Sequence, residues 1–145
     1  HLPLDRFDKL YRMGKERSRY EWALKSIVRS GAVLAAGTDY PVADFDPVPN
    51  IYMAVTRKGT DGVQYGMESP EEKLSVAEIL RAYTYGGAYA THTEDILGTI
   101  EDGKYADLAV LDKNLLNIDP EEILNARVVM TMVDGKVVYE KGGEL

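Results

Sequence analysis

The sequence predicts an α/β chain in which helices feed one buried strand and a small β unit closes the C-terminal third. Three observations carry that prediction. The run Ala32 to Ala36, bounded by Gly31 and Gly37, is short and wholly apolar, as a strand buried on both faces is. Two stretches with apolar residues at helical spacing precede it. Near the end, Asp134-Gly135 separates VVMTMV from KVVYE, and both residues of such a pair tolerate the positive φ of a two-residue hairpin turn.

Taken in order, Pro3 to Met13 carries Leu4, Phe7, Leu10 and Tyr11 at helical spacing before Gly14 interrupts it. A second helix is expected from Lys15, with Tyr20, Leu24, Ile27 and Val28 along one face and Gly31 as its stop. The strand Ala32 to Ala36 follows, and Asp39 falls just past its C-terminal end. In parallel α/β architectures ligands gather at that end, because the loops there vary while the sheet stays fixed. A carboxylate so placed is a candidate metal ligand or general base. On spacing alone the favoured reading is a cap for the next turn, with Pro41 fixing the backbone.

Asp44 and Asp46 before Pro47 signal a helix start, and Ile51, Val55 and Met53 give that helix a buried side. Lys58 to Pro70 has no clear periodicity and reads as a long surface loop, either a binding loop or an unstructured one. Ser75 with Glu78 forms a capping box opening a helix from Val76 to about Tyr83. Thr84 is expected to cap a second short helix through Gly86, Gly87, Ala88, Tyr89 and Ala90, whose small residues permit close packing. His92 lies in the polar turn THTED and reads as a solvated side chain, since a metal site needs several converging ligands.

The character of the chain changes at Ile96, which suggests a division into residues 1–95 and 96–145. A turn at Asp102-Gly103 leads into a strand from Ala106 to Leu111. Pro120 with Glu121 and Glu122 starts one helical turn, and the hairpin of residues 128–133 and 136–140 completes the unit.

Composition narrows the function. With 45% hydrophobic and 28% charged residues, the 145-residue chain is globular in character. No apolar run approaches the roughly 20 residues of a membrane-spanning helix, so no membrane partner is expected. The net charge of −7 is concentrated after residue 50, with 8 basic and 7 acidic side chains before it. An acidic balance argues against nucleic acid, whose phosphates need clustered Lys and Arg. The absence of cysteine removes disulfides, thiolate metal sites and a cysteine nucleophile. The chain opens at His1 without an initiator methionine, so its start is expected to be processed or cut; nothing there resembles a signal peptide. The compartment stays open, with the cytoplasm as the expectation.

Five motifs together resemble the amidohydrolase superfamily, in its family 3 branch: GTDYPV from Gly37, DPVPNIYMAVTR from Asp46, LSVAEILRAYTYGGAYA from Leu74, LGTIEDGKYADLAVLD from Leu97, and the hairpin MVDGKVVYE. Each falls where the residue patterns call for a strand end, helix, helix, turn-strand and hairpin. The resemblance implies the last portion of a (β/α)8 metal-dependent hydrolase barrel, with Ala32 to Ala36 as the final barrel strand, followed by a small β unit of a composite β-sandwich. It also implies that Asp39 contacts the catalytic metal or takes the proton of the attacking water, with Gly37 and Pro41 presenting it and Thr38 in support.

The implied cofactor is a divalent metal, zinc by expectation, and the implied substrate a small amide or cyclic amide cleaved at a C–N bond. The histidines that the family places on earlier strands are absent, for the chain holds only His1 and His92. One carboxylate cannot hold a zinc ion that takes three or four ligands. The chain is therefore expected to be a C-terminal fragment, inactive by itself, with no tightly bound metal. Unpaired strand edges would favour self-association. The competing class is an independent, non-catalytic module that binds a protein partner through its sheet and the 58–70 loop.

Overall fold

A computed structural model describes residues 11–63 and 69–143. Most of the Pro3 to Met13 helix expectation, and the centre of the 58–70 loop, lie outside the described residues. Helical residues 11–18 (α1) run across Gly14 rather than stopping there, and a turn at 19–22 precedes α2, Leu24–Arg29. The single helix expected from Lys15 is thus broken. Trp22 has φ 54, and the carbonyls of Glu21 and Trp22 accept hydrogen bonds from the Arg57 guanidinium, at 3.1 and 3.0 Å. Tyr20 is exposed, so it does not share the face on which Leu24 and Val28 meet the core. Gly31 ends α2 as expected, at φ 86 and with its N–H on the Val28 carbonyl.

Residues 32–38 have no assigned strand structure, and no strand ladder among the described residues includes them. A barrel strand exists only through hydrogen bonds to neighbours on both edges, and no described segment lies alongside this one as a strand. Its anchor is a rod of helix instead: the Ala36 N–H donates to the Ala82 carbonyl at 3.1 Å.

α3 spans Val48–Thr56. The Asp46 carboxylate accepts from the Val48 N–H at 2.9 Å, as an acidic residue before a helix does. Val48, Ile51, Tyr52 and Met53 are buried. After a short 3-10 turn at Pro70–Glu72, the Ser75/Glu78 capping box opens α4, Val76–Arg81. A π turn at Ala82–Gly86 then runs directly into α5, Gly87–Ala90. Two separate helices are not formed, and Thr84 is no cap: its hydroxyl donates back to the Leu80 carbonyl at 2.9 Å. The extra residue of a π turn lets the rod continue where a sequence pattern shows a phase break.

The C-terminal part holds one antiparallel sheet in the order β1-β2-β3: β1 is Leu108–Leu111, β2 Val128–Val133 and β3 Lys136–Glu140. β1 starts two residues later than expected. Ala106 and Asp107 bind the hairpin turn instead, the former's carbonyl accepting from Gly135 N–H and the latter's carboxylate from Asp134 N–H. Asp134 and Gly135 have φ 49 and 73, the turn geometry their identities call for. The helical turn at Pro120 is a 3-10 turn, Pro120–Asn125. Its Ile123 is fully buried and joins Leu115 and Ala126 in one hydrophobic cluster with Ile51, Tyr52, Leu74 and Ile79.

Candidate functional site

The site that the sequence singles out is the turn after the extended segment 32–38. Gly86 of the rod packs so closely on that segment that an added β-carbon would stand 2.0 Å from the Leu34 carbonyl oxygen. The segment is therefore fixed from behind. At its end Asp39 turns the chain with φ 56, a left-handed conformation that Asp tolerates better than most residues. Its carbonyl accepts from the Val42 N–H at 2.8 Å, and the Tyr40–Pro41 peptide is cis. The Asp39 side chain is exposed.

Beside it stand two exposed rings. Tyr40 and Phe45 meet edge to face with centroids 6.0 Å apart. Asp44 and Asp46 are used locally: one accepts from the Asp46 N–H at 3.4 Å and the other begins α3. Beneath Gly37 lies a cavity of about 180 Å³ lined by Trp22, Leu34, Asn50, Met53 and Tyr83 among others. Its polar content includes the Asn50 side-chain amide donating to the Tyr83 hydroxyl at 3.1 Å. Burial pushes the Tyr83 phenol above its usual range.

The described residues do not by themselves make a metal site. Among the described residues no three His, Cys, Asp or Glu side chains come together. His92 is exposed in its turn, on the solvent as expected, and His1 is outside the described residues. Zinc needs three or four ligands, and Asp39 is the one candidate that the sequence places here.

Two buried charges escaped sequence reasoning. Arg57 is 2% exposed; it ends α3 at φ 64, with its N–H on the Met53 carbonyl, and its guanidinium grips Glu21 and Trp22. Glu72 is also buried, and accepts from the Ser26 N–H at 2.8 Å and from the Ser26 hydroxyl. Burial pushes the Glu72 carboxyl up, but those bonds, the Lys25 amide and the Arg57 charge outweigh it, leaving it below the ordinary carboxylate range. Together they fix residues 21–26, and with them Trp22 on the cavity wall. An arginine at a helix end carries no sequence signal that would separate it from a solvated one.

Comparison with known proteins follows the same residues. Residues 7–139 match the model of the amidohydrolase family. A Bacillus subtilis protein named as an amidohydrolase, YtcJ, is 33% identical over 130 residues, covering 90% of this chain and 25% of that protein. The N-substituted formamide deformylase of Arthrobacter pascens is 31% identical over 120 residues, covering 83% and 22%. The zinc-bound crystal structure of an adenosine deaminase from Xanthomonas campestris superposes with a TM-score of 0.60 at 26% identity, covering 81% of this chain and 28% of that one. The chain thus spans about a quarter of the length of the curated relatives it matches.

Proposed function

The chain belongs to the amidohydrolase family, and from that premise we propose that it is the C-terminal portion of a metal-dependent hydrolase that cleaves a C–N bond of a small amide or cyclic amide. Asp39 is its contribution to the reacting centre. The observation that carries this reading is the presentation of Asp39: an exposed carboxylate on a left-handed turn, at the end of a segment held rigid from behind by Ala82 and Gly86. In that position the Asp39 carboxylate would accept the proton of an attacking water, a role worth on the order of 10²–10⁴ in rate, or add one ligand to a divalent ion held mainly by the rest of the longer protein; such an ion would supply an activated water.

On this reading the remaining ligands come from the rest of the longer protein and the isolated chain is inactive; among the described residues no three His, Cys, Asp or Glu side chains come together. In the longer protein, residues 32–36 serve as the last strand of a (β/α)8 barrel, and β1 to β3 belong to a β-sandwich. The names of two relatives, a deformylase of N-substituted formamides and a deaminase of adenosine, support a C–N bond as the point of attack.

The test is a hybrid in which residues 7–139 replace the matching segment of the Arthrobacter pascens deformylase, assayed for formate release from an N-substituted formamide. A folded, active hybrid that loses at least a hundredfold in rate on Asp39→Asn, with its melting temperature kept, supports the reading. An active hybrid that is indifferent to Asp39→Asn overturns it.

A further inference from the structure

Tyr40, Val42 and Phe45 stand 67%, 55% and 76% exposed, and all three lie on the loop that begins at Asp39. Exposed apolar residues scattered singly need no explanation. Three on one short loop, next to a carboxylate whose backbone is fixed from behind, make a patch of the kind that marks a ligand-binding surface.

The loop folds so that this patch stays at Asp39. The Asp39 carbonyl accepts from the Val42 N–H at 2.8 Å, which turns the chain back on itself. The Tyr40 and Phe45 rings then meet with centroids 6.0 Å apart and planes at 67°, the edge-to-face arrangement that ring quadrupoles favour. Phe45 is thereby held against the residue that directly follows Asp39. Neither ring belongs to the hydrophobic core, so the pairing is not a by-product of core packing.

The charges of the loop narrow what the rings receive. From Asp39 to Asp46 it carries three carboxylates and no basic side chain; of these, Asp46 is committed to the start of α3. The loop offers an anionic group no partner and, through Asp39 and Asp44, repels one. What two rings and a valine do offer is apolar contact, which suits another ring or a bulky alkyl group.

We propose that Tyr40 and Phe45 are specificity-determining residues of this site, and that they hold a bulky apolar or aromatic N-substituent of the amide while Asp39 serves its C–N bond. The inference rests on the hydrolase reading and adds the class of substrate, amides with a large uncharged N-substituent over those with a small or anionic one. In an apolar pocket a single methylene is worth on the order of 10–200-fold in discrimination. Removal of a whole ring is therefore expected to move the preference at least tenfold.

The test uses the hybrid of residues 7–139 in the Arthrobacter pascens deformylase and compares kcat/KM for N-cyclohexylformamide with kcat/KM for N-methylformamide. Tyr40→Ala and Phe45→Ala each lower that ratio at least tenfold, while Leu116→Ala, an apolar residue 60% exposed in the C-terminal part, leaves it unchanged. A ratio indifferent to both ring substitutions overturns the proposal. So does a fall in melting temperature with the ratio kept, which would make the rings packing residues against another part of the longer protein. Asp39→Asn in the same hybrid reads the hydrolase claim separately. Rate lost on Asp39→Asn with the ratio unmoved by either ring overturns this inference alone, whereas indifference to Asp39→Asn overturns both. A second hybrid carries only residues 39–46 in the matching loop of the deformylase, which leaves that enzyme's own core intact. There too the two ring substitutions lower the ratio at least tenfold, and indifference to both counts against the proposal.

Discussion

The β-carbon that Gly86 lacks would stand 2.0 Å from the carbonyl oxygen of Leu34 and 3.2 Å from the α-carbon of Ala35. Both neighbours are backbone, which cannot rotate away. The residue that leads into Asp39's segment is thus seated on a helix that has room only for hydrogen. Gly86→Ala is expected to destabilise the chain by about 3 kcal/mol, the upper end of ordinary overpacking costs. At this size that is a fall of roughly 10 °C in melting temperature. Gly87→Ala meets nothing within 4 Å, so it should be neutral or gain a few tenths to about 1 kcal/mol from helix propensity. Thermal melts of the two variants side by side check the contrast.

Acid should weaken the start of α4 in a defined window. The Glu78 carboxyl is held down to about 2 by its pairing with Lys25 and its bonds to the Ser75 N–H and hydroxyl. An unfolded glutamate titrates near 4.3 by the usual scale, so about that value marks the upper end of the window. Above it the contribution of Glu78 to stability is complete, and it drains as pH falls toward 2. Glu78→Gln should cost about 1 kcal/mol at neutral pH, as loss of a capping interaction does. It should also flatten the stability profile between those two values. Urea midpoints at pH 7, 4 and 2.5 measure both.

The helical and β parts are tied by Tyr52 and Ile123. Tyr52 donates its hydroxyl to Glu121 at 3.1 Å from a buried ring. Burial first, and the Glu121 carboxylate with it, push the phenol above its usual range. Tyr52→Phe should cost about 1 kcal/mol, a single buried hydrogen bond. Ile123→Ala should cost about 2–5 kcal/mol through lost burial and a cavity. Chemical denaturation should show one transition that moves for both variants. A Tyr52→Phe chain with unchanged stability would show that Glu121 is as well satisfied by water.

Features whose cause is local were legible from residues alone. The Ser75/Glu78 box, the Asp134-Gly135 turn, the Gly31 stop and the acidic start of α3 all lie where short-range chemistry puts them. The features set by distant contacts were not. The run from Ala32 to Ala36 has strand composition, yet a strand is a relation between segments and no described segment supplies the other half. The break at residues 19–22 depends on Arg57, some 35 residues away, competing for carbonyls that would otherwise bond along the helix. The π turn absorbs a phase shift that reads as a helix boundary at Thr84. Asp39 stands out through its motif and its place after an apolar run, whereas nothing near Arg57 or Glu72 marks them as buried.

The central claim is that this chain brings one carboxylate to a metal centre whose other ligands lie elsewhere. Native mass spectrometry of the chain after dialysis against zinc tests it most directly, since one spectrum reports both retained metal and copy number. The account predicts a chain that keeps no stoichiometric zinc. A monomer carrying one zinc per chain, lost on Asp39→Ala, would contradict it and would mean that a complete metal site resides within these 145 residues.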